Sequence, residues 1–424
     1  MEAFYMEALE PFILDWLNLL LRWAHLIAGI AWIGTSFYFI ALDRSLRREA
    51  DDPEGVFGSA WEVHGGGFYH VRKYMVAPAA LPERLTWFRW EAYLTWVTGF
   101  SLLVVQFYFN ASIWLIDPQV MPLEPWQGIA ISVSSLFIGW FVYHAICRSP
   151  LGNNLIALAI TVFALLVFAA WGYTNLFSAR SALLHTGMLI GTLMAFNVFA
   201  VIIPNQKKIT ASLLAKEPPD PSLGLIGKQR SVHNTYLTLP VILLMLSGHY
   251  PMIGGHPQAW LLVALFLVGG GITRHVLVHF ESGAGIGKVA LPLVAMAGIL
   301  AILVGMTAPK PVADASGAGA DGQSAERVSD LEVLRIAYVH CVSCHAHKPL
   351  NPGFTNPPNN VVLETTADIL RFKDTIEAFS VRTHIMPLGN KTDMTEQERE
   401  RLGLWLSQQG AAGTPAAKGE PAAQ

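Results

Sequence analysis

The chain has 424 residues, of which 53% are hydrophobic and only 14% are charged, and its formal net charge is −3. Soluble domains carry about 25% charged residues, so this composition predicts a membrane protein. The small net charge gives no reason to expect nucleic-acid binding, and three cysteines are too few for a disulfide framework.

Eight stretches are apolar enough to cross a bilayer, whose hydrocarbon core requires about 20 residues per helix. Their predicted bounds are 12–42, 85–109, 127–147, 154–171, 182–203, 233–250, 258–280 and 287–307. The sequence therefore predicts an all-α fold, with a polytopic bundle of eight transmembrane helices in residues 1–307. The acidic first ten residues lack the basic region of a cleavable signal peptide.

Lysine and arginine concentrate on alternate connections between these spans. The first, third and fifth connections are basic, the fifth including Lys228 and Arg230, whereas the second and sixth contain neither residue type. Because basic connections stay on the cytoplasmic side, both termini are predicted on the periplasmic side of the bacterial inner membrane.

Two pairs of polar residues are candidate catalytic groups. Arg22 and His25 share one face of the first span and are suited to an anionic planar ligand; alternatively, Arg22 only extends to the membrane interface. His64 and His70 flank three glycines beside a basic pair, where a backbone approaches a ligand closely. The alternative for that segment is a solvated basic loop.

The histidines of the predicted spans form two layers. The outer layer comprises His25, His185, His249 and His256, and the inner layer comprises His144, His233, His275 and His279. One interpretation is a b-haem in the membrane domain, and the other is a set of hydrogen-bonded structural histidines. His275 and His279, one helical turn apart, suit a small site better than two haems.

After the spans, the chain carries Cys341-Val342-Ser343-Cys344-His345, the C-x-x-C-H signature of a covalently attached c-type haem. The two thiols attach the haem, and His345 is the axial iron ligand. A zinc site needs a second Cys/His pair, and a thioredoxin-like pair needs a β-α-β context; neither is evident. In bacteria, haem c attachment implies the periplasmic side.

The sixth iron ligand is predicted to be Met386, which precedes Pro387 on a loop that looks like the Met-Pro loop of class I cytochromes c. His384 and Met394 are the alternatives. His340 and His347, beside the motif, are predicted to be exposed neighbours.

The C-terminal part divides into a linker (308–328), a small helical domain like a class I cytochrome c (329–410) and a disordered tail (411–424). Leu331, Leu334 and Tyr338 form a helical stripe before the haem motif, and 366–379 predicts a further helix. The final helix is predicted to open on a Thr395–Glu398 capping box. It would bury three residues: Leu402, Trp405 and Leu406.

The order of these parts resembles the bacterial membrane-bound urate oxidases (urate hydroxylase/dehydrogenase) with a fused cytochrome c domain. The resemblance is carried by residues 23–26 (Trp-Ala-His-Leu), 31–37 (Ala-Trp-Ile-Gly-Thr-Ser-Phe) and 64–69 (His-Gly-Gly-Gly-Phe-Tyr). It covers nearly the whole chain.

The resemblance implies oxidation of urate to 5-hydroxyisourate in purine degradation, by an oxidoreductase embedded in the lipid bilayer. Electrons would leave through one haem c to a respiratory acceptor, such as a soluble cytochrome c or a terminal oxidase, without forming hydrogen peroxide. One alternative is a membrane cytochrome c subunit that oxidises quinol or accepts electrons from a partner dehydrogenase. A transporter with an appended cytochrome is another, although no span shows paired broken helices.

Overall fold

The structure is a computed structural model that describes residues 2–74, 81–82, 84–281, 285–308, 327–351, 354 and 356–411. It is mostly helical. The α-helices of the N-terminal part are α1 (Glu2–Ser45), α2 (Trp90–Leu103), α3 (Ala111–Trp114), α4 (Pro125–Arg148), α5 (Leu155–Thr174), α6 (Ala179–Phe196), α7 (Ile203–Leu214), α8 (Pro221–Leu246), α9 (Pro251–Gly254), α10 (Ala259–Glu281) and α11 (Ala290–Thr307). Those of the C-terminal part are α12 (Asp330–His340), α13 (Thr366–Arg371), α14 (Lys373–Ile376) and α15 (Glu396–Ala411). Turns of π-helix occupy Val104–Tyr108, Asn197–Ile202 and Glu377–Arg382.

A two-stranded antiparallel hairpin departs from the all-α prediction. Strands β1 (Val56–His64) and β2 (Gly67–Tyr74) pair directly, with His64 opposite Gly67. Gly65 and Gly66 form the turn with positive φ values of 58° and 81°, which two-residue hairpin turns require. The glycine run therefore makes a tight turn, which the sequence prediction had treated as a loop.

Six helices in the described part of the chain are long and apolar enough to cross a membrane. They are Phe12–Ser45, Pro125–Arg148, Leu155–Thr174, Ala179–Leu214, Ala259–Phe280 and Ala290–Thr307. They coincide with the first, third, fourth, fifth, seventh and eighth predicted spans.

The predicted second and sixth spans fall on helices outside these six. The second corresponds to α2, a shorter α-helix that continues as the π-helical turn Val104–Tyr108. The sixth corresponds to α8, which begins at Pro221 instead of His233 and carries polar residues in its first half. An eight-span bundle stays a prediction.

Local sequence signals explain where two of the membrane helices begin. Glu124 and Gln127 form a reciprocal capping box before α4, and Pro125 occupies its first position. The Asn154 side chain accepts hydrogen bonds from the N–H groups of Ile156 and Ala157 and so caps α5.

Helix α6 lies at the centre of the N-terminal domain, packed against α4, α5 and α8. Its interior face includes polar side chains that are fully buried: Ser181, His185, Thr186, Thr192 and, in the following π-helical turn, Asn197. In contrast, α11 packs on α10 and has no buried residue. The polar residues therefore lie inside the bundle and an apolar surface lies outside, as lipid requires.

The C-terminal part has its own hydrophobic core, built from α12, α13 and α15. The capping box between Thr395 and Glu398 is confirmed, as is the burial of Leu402, Trp405 and Leu406. The predicted 366–379 helix consists of α13, α14 and the beginning of a π-helical turn.

Two residues of the stripe predicted on α12, Leu331 and Tyr338, lie on its exposed side, whereas Leu334 packs against the core. Leu331 and Tyr338 are 78% and 72% exposed, whereas Val333, Ile336 and Ala337 are buried in the core. The two faces have similar apolar spacing, so periodicity alone did not distinguish them. Most of the predicted linker, the 412–424 part of the tail and Pro352 lie outside the described residues.

Two connections of the membrane domain contact the C-terminal domain. The ring of Trp114 packs edge-on against Phe354, with 6.2 Å between centroids. A Cβ on Gly389 would lie 3.1 Å from the Ile116 carbonyl oxygen. A Cβ on Gly255 would lie 2.7 Å from the carbonyl oxygen of Thr383 and closer still to its side chain. The backbones therefore meet at close range.

Candidate functional site

The C-x-x-C-H segment follows α12 directly. Cys341 and Cys344 are free thiols and partly exposed. Burial raises the pKa of the Cys341 thiol, and the neighbouring Cys344 acts in the same direction.

His345 is oriented as an iron ligand should be. Its Nδ1 lies 3.0 Å from the Val361 carbonyl oxygen, which can only accept a hydrogen bond. Nδ1 therefore carries the proton, and Nε2 keeps the lone pair that a metal ligand needs. Burial lowers the pKa of His345, which also favours the neutral imidazole. The free thiols and this oriented imidazole fit a c-type haem.

The predicted sixth ligand, Met386, lies on a loop. Hydrogen bonds hold both the backbone N–H and the backbone carbonyl group of this residue. The Met386 N–H donates to the Phe379 carbonyl oxygen (2.9 Å), and its own carbonyl accepts from the Arg399 guanidinium (2.7 Å). Arg399 is buried and also donates to the Ser380 carbonyl. This arrangement fixes the backbone that carries the thioether.

Contacts connect this loop to the haem motif. Arg399 lies within electrostatic reach of Cys341, and Lys391 within reach of Cys344. His340 Nδ1 is 2.9 Å from the Thr392 hydroxyl oxygen, and this histidine is buried. The prediction that His340 is exposed is therefore wrong, whereas His347 is exposed as predicted.

The two alternative sixth ligands have other surroundings. His384 is exposed, with Nδ1 3.4 Å from a carboxylate oxygen of Glu396. Met394 is buried in the hydrophobic core of the C-terminal domain. Met386 stays the predicted ligand.

The hairpin carries both histidines of the predicted cytoplasmic site, and both are exposed. The His70 ring stacks in parallel on Trp61, with 4.3 Å between centroids, because these residues are directly opposite in the strand register. The hairpin is joined to the C-terminal half of α1 by the Tyr38 hydroxyl, which donates to Glu62 (2.6 Å).

Arg22 and His25 lie elsewhere, between α1 and α2. Arg22 donates to Asn18 and to Gln106, and His25 Nδ1 donates to the Thr95 carbonyl oxygen at 3.0 Å. His25 is about 20 Å along the helix axis from Tyr38, so the structure does not bring the two predicted pairs together. The roles assigned to Arg22, His25, His64 and His70 stay predictions.

Six of the other membrane histidines make hydrogen bonds to protein groups: His144, His185, His233, His256, His275 and His279. His185 is fully buried, with Nε2 2.7 Å from the Ser132 hydroxyl and Nδ1 2.8 Å from the Ser181 carbonyl oxygen. The rings of His275 and His279 are 4.2 Å apart, and Tyr236 bonds to His275 Nδ1. In the described part of the chain, no three His, Cys, Asp or Glu side chains form a metal-binding cluster.

A buried polar cluster between α4 and α8 was not predicted. On α8, Arg230 is fully buried, although the sequence analysis had counted it in a basic connection. Its guanidinium carbon lies 4.9 Å from the centroid of the Tyr143 ring on α4. We refer to Trp140, Tyr143, His144, Asn197, Arg230, His233 and Asn234 as the Arg230 cluster.

Hydrogen bonds connect the members of this cluster other than Trp140, whose ring stacks on His144. The Asn197 amide donates to the Tyr143 hydroxyl (2.9 Å) and to Asn234 (3.0 Å), and the Tyr143 hydroxyl is 2.7 Å from His233 Nδ1. On α4 its members recur three or four residues apart, as they do on α8, so each helix presents one polar face to the other. This spacing was the signal available in the sequence.

These helices and their polar interior define a helical multi-pass membrane protein with a C-terminal domain that carries a c-type haem motif. Residues 11–307 match the urate oxidase N-terminal family, and the chain belongs to that family. The match runs from within α1 to the last residue of α11. Neither the curated proteins nor the solved structures gave a match.

Proposed function

We propose that this protein oxidises urate to 5-hydroxyisourate in the membrane and delivers the electrons to a respiratory acceptor through its C-terminal domain. The observation that carries this proposal is the family membership of residues 11–307. The C-x-x-C-H segment supplies the route for the electrons without hydrogen peroxide as a product.

The reaction balances without molecular oxygen. Water adds to C5 of urate, a C–O bond forms, and two protons and two electrons leave the substrate. When bound by Cys341, Cys344, His345 and Met386, a c-type haem accepts one electron at a time, so each urate requires two transfers. Such a site needs a cation for the urate anion and a base for the protons, and histidine is the natural base near neutral pH.

The C-terminal domain is proposed to lie on the periplasmic side. It contacts the membrane domain at Ile116 and Gly255, which belong to the second and sixth connections. Those are the connections without lysine or arginine, which the positive-inside rule assigns to the outer face. Charge distribution and domain contact thus support the same orientation. If urate enters from the cytoplasm, a b-haem relay in the membrane domain becomes part of the proposal.

The test is anaerobic addition of urate to the purified full-length protein while the absorbance of the c-type haem is followed. The expected result is that each urate reduces two haems, with 5-hydroxyisourate as product and no peroxide. Reduction by a quinol but never by urate would instead support the electron-transfer subunit.

A matched pair of variants tests the electron route. Cys341→Ala should lose stable haem attachment and urate-driven electron output, while the membrane domain still inserts. Cys147→Ala, which removes the only cysteine outside the motif, should retain the covalent haem. Normal electron output from Cys341→Ala would contradict the proposed route.

A further inference from the structure

We propose that the Arg230 cluster is the binding site for the urate anion. This inference rests on the proposed function and adds to it the place where the substrate is held. The site lies between α4, α8 and the π-helical turn after α6, on elements other than those that carry the two pairs of residues that the sequence suggested.

Arg230 is a buried cation without a counter-ion among the described residues. Arg230 is fully buried, and neither its Nε nor its Nη1 makes a hydrogen bond to any described residue. Its remaining nitrogen, Nη2, lies 3.5 Å from the Nδ1 and the carbonyl oxygen of His144, at the limit of a hydrogen bond. A fully buried charge without a counter-ion is unfavourable, so an anionic partner would stabilise Arg230.

Unpaired polar atoms on other members of the cluster are complementary to a heterocyclic anion. Oδ1 of Asn197 is a buried acceptor, and Nε1 of Trp140 a buried donor, that lack partners among the described residues. Urate presents carbonyl oxygens and ring nitrogens to donors such as Arg230 and Trp140, and ring N–H groups to acceptors such as Asn197. A spherical inorganic anion would satisfy the donors but leave the acceptor unpaired.

Flat side chains in the cluster favour a planar ligand. The rings of Trp140 and His144 are stacked, with 4.9 Å between centroids, and Tyr143 lies under the guanidinium of Arg230. Asn197 begins a π-helical turn, an irregularity that recurs at functional sites because it redirects a side chain. His233 is hydrogen-bonded to the Tyr143 hydroxyl, which fixes the position of its ring. Its imidazole is the group in the cluster best suited to accept a proton.

The test compares Arg230→Met with Lys228→Met in the purified full-length protein. Lys228 is exposed on the same helix, so its variant removes the same charge from outside the cluster. Urate binding is measured by equilibrium dialysis under anaerobic conditions, and the unfolding temperature is measured with and without urate. Arg230→Met should weaken urate binding by about 100-fold or more, because charge-assisted hydrogen bonds are lost. Lys228→Met should bind urate like the wild type.

Stability separates a binding role from a structural one. Without urate, Arg230→Met should unfold at the same temperature as the wild type or higher, since it removes a buried charge that lacks a counter-ion. Asn197→Asp places a negative charge within the cluster and should abolish binding of the urate anion. Because a carboxylate cannot donate the two hydrogen bonds of the Asn197 amide, its unfolding temperature should fall. If Arg230→Met fails to fold, Asn197→Asp decides the question.

The outcomes test the proposed urate site and the proposed oxidation of urate separately. Unchanged urate affinity in Arg230→Met or Asn197→Asp, or equal protection by chloride or phosphate, would overturn the site and leave the proposed function standing. Urate binding that depends on Arg230 but never reduces the haem would uphold the site and overturn the function. A wild-type protein that neither binds nor oxidises urate would overturn both.

Discussion

At the scale of single residues, Met386 offers the most direct test of the haem site. Met386→Ala should leave the haem covalently attached through the two thioethers but lower its reduction potential, because a thioether ligand raises it. The sulfur-to-iron absorption band in the red should disappear. The measurements are a redox titration and an absorption spectrum of the oxidised protein.

His384→Ala is the matched control for this prediction. The side chain lies two residues from Met386 and faces Glu396, so its removal should leave the band and the potential unchanged. A band that survives in Met386→Ala would assign the sulfur ligand to another methionine, such as Met394. A wild-type spectrum without the band, together with an altered potential in His384→Ala, would assign the ligand to His384.

The predicted catalytic role of the hairpin histidines is tested in the same way. His64→Ala and His70→Ala should lower urate turnover, by about 10²-fold or more if either acts in proton transfer, and should spare haem reduction by dithionite. The exposed His347 of the C-terminal domain provides the control, since His347→Ala should change neither activity. Normal turnover in both hairpin variants would leave His64 and His70 as surface residues of a hairpin.

Some functional residues could be predicted from the sequence and others could not. The haem motif was readable because its chemistry requires fixed spacing, and the Nδ1 contact of His345 agrees with that requirement. Arg230 was missed because an arginine between two apolar stretches is normally counted as part of a connection. Its burial depends on α8 beginning at Pro221, a boundary that apolar composition does not mark.

At the scale of elements, long apolar helices were the predictable part. Six of the eight predicted spans coincide with helices of suitable length and composition. The hairpin was missed because its strands carry apolar side chains on both faces, including the exposed Trp61 and Phe68, so a clear alternation is absent.

The crossing of α8 and α10 gives a prediction about packing. A Cβ at Gly270 would lie 2.7 Å from Cδ and 3.0 Å from the backbone nitrogen of Pro240. Gly270→Ala should therefore force the helices apart and destabilise the fold by about 1–3 kcal/mol, as overpacking typically does. The unfolding temperature of the detergent-solubilised protein provides the measurement.

Gly271 is the matched control, one position along the same helix. A Cβ there meets no atom within 4 Å, so Gly271→Ala should be neutral or stabilising by up to about 1 kcal/mol through its helix propensity. Equal unfolding temperatures for the two variants would mean that α8 and α10 do not cross this closely. Because α8 carries Arg230, Gly270→Ala should also weaken urate binding.

At the scale of the whole molecule, the two domains meet where the proposed electron route leaves the membrane. Thr383 and Ile385, on either side of His384 and close to Met386, contact Gly255 and Gly254 of the sixth connection. Asp117 of the second connection lies within electrostatic reach of Arg399, which holds the Met386 carbonyl. The membrane domain therefore contacts the loop that carries the predicted iron ligand.

This geometry predicts that Gly255 controls electron transfer between the domains. A side chain at Gly255 would overlap Thr383, and overpacking costs about 1–3 kcal/mol, which would lower the docked population by about 5–150-fold. Gly255→Ala should retain its haem and its reduction by dithionite, yet show slower haem reduction by urate in stopped-flow measurements. At Gly254 a Cβ makes only ordinary contacts, at 3.7 Å and 3.9 Å, so Gly254→Ala should reduce its haem at the wild-type rate. Equal rates in the two variants would show that electrons reach the C-terminal domain without this contact.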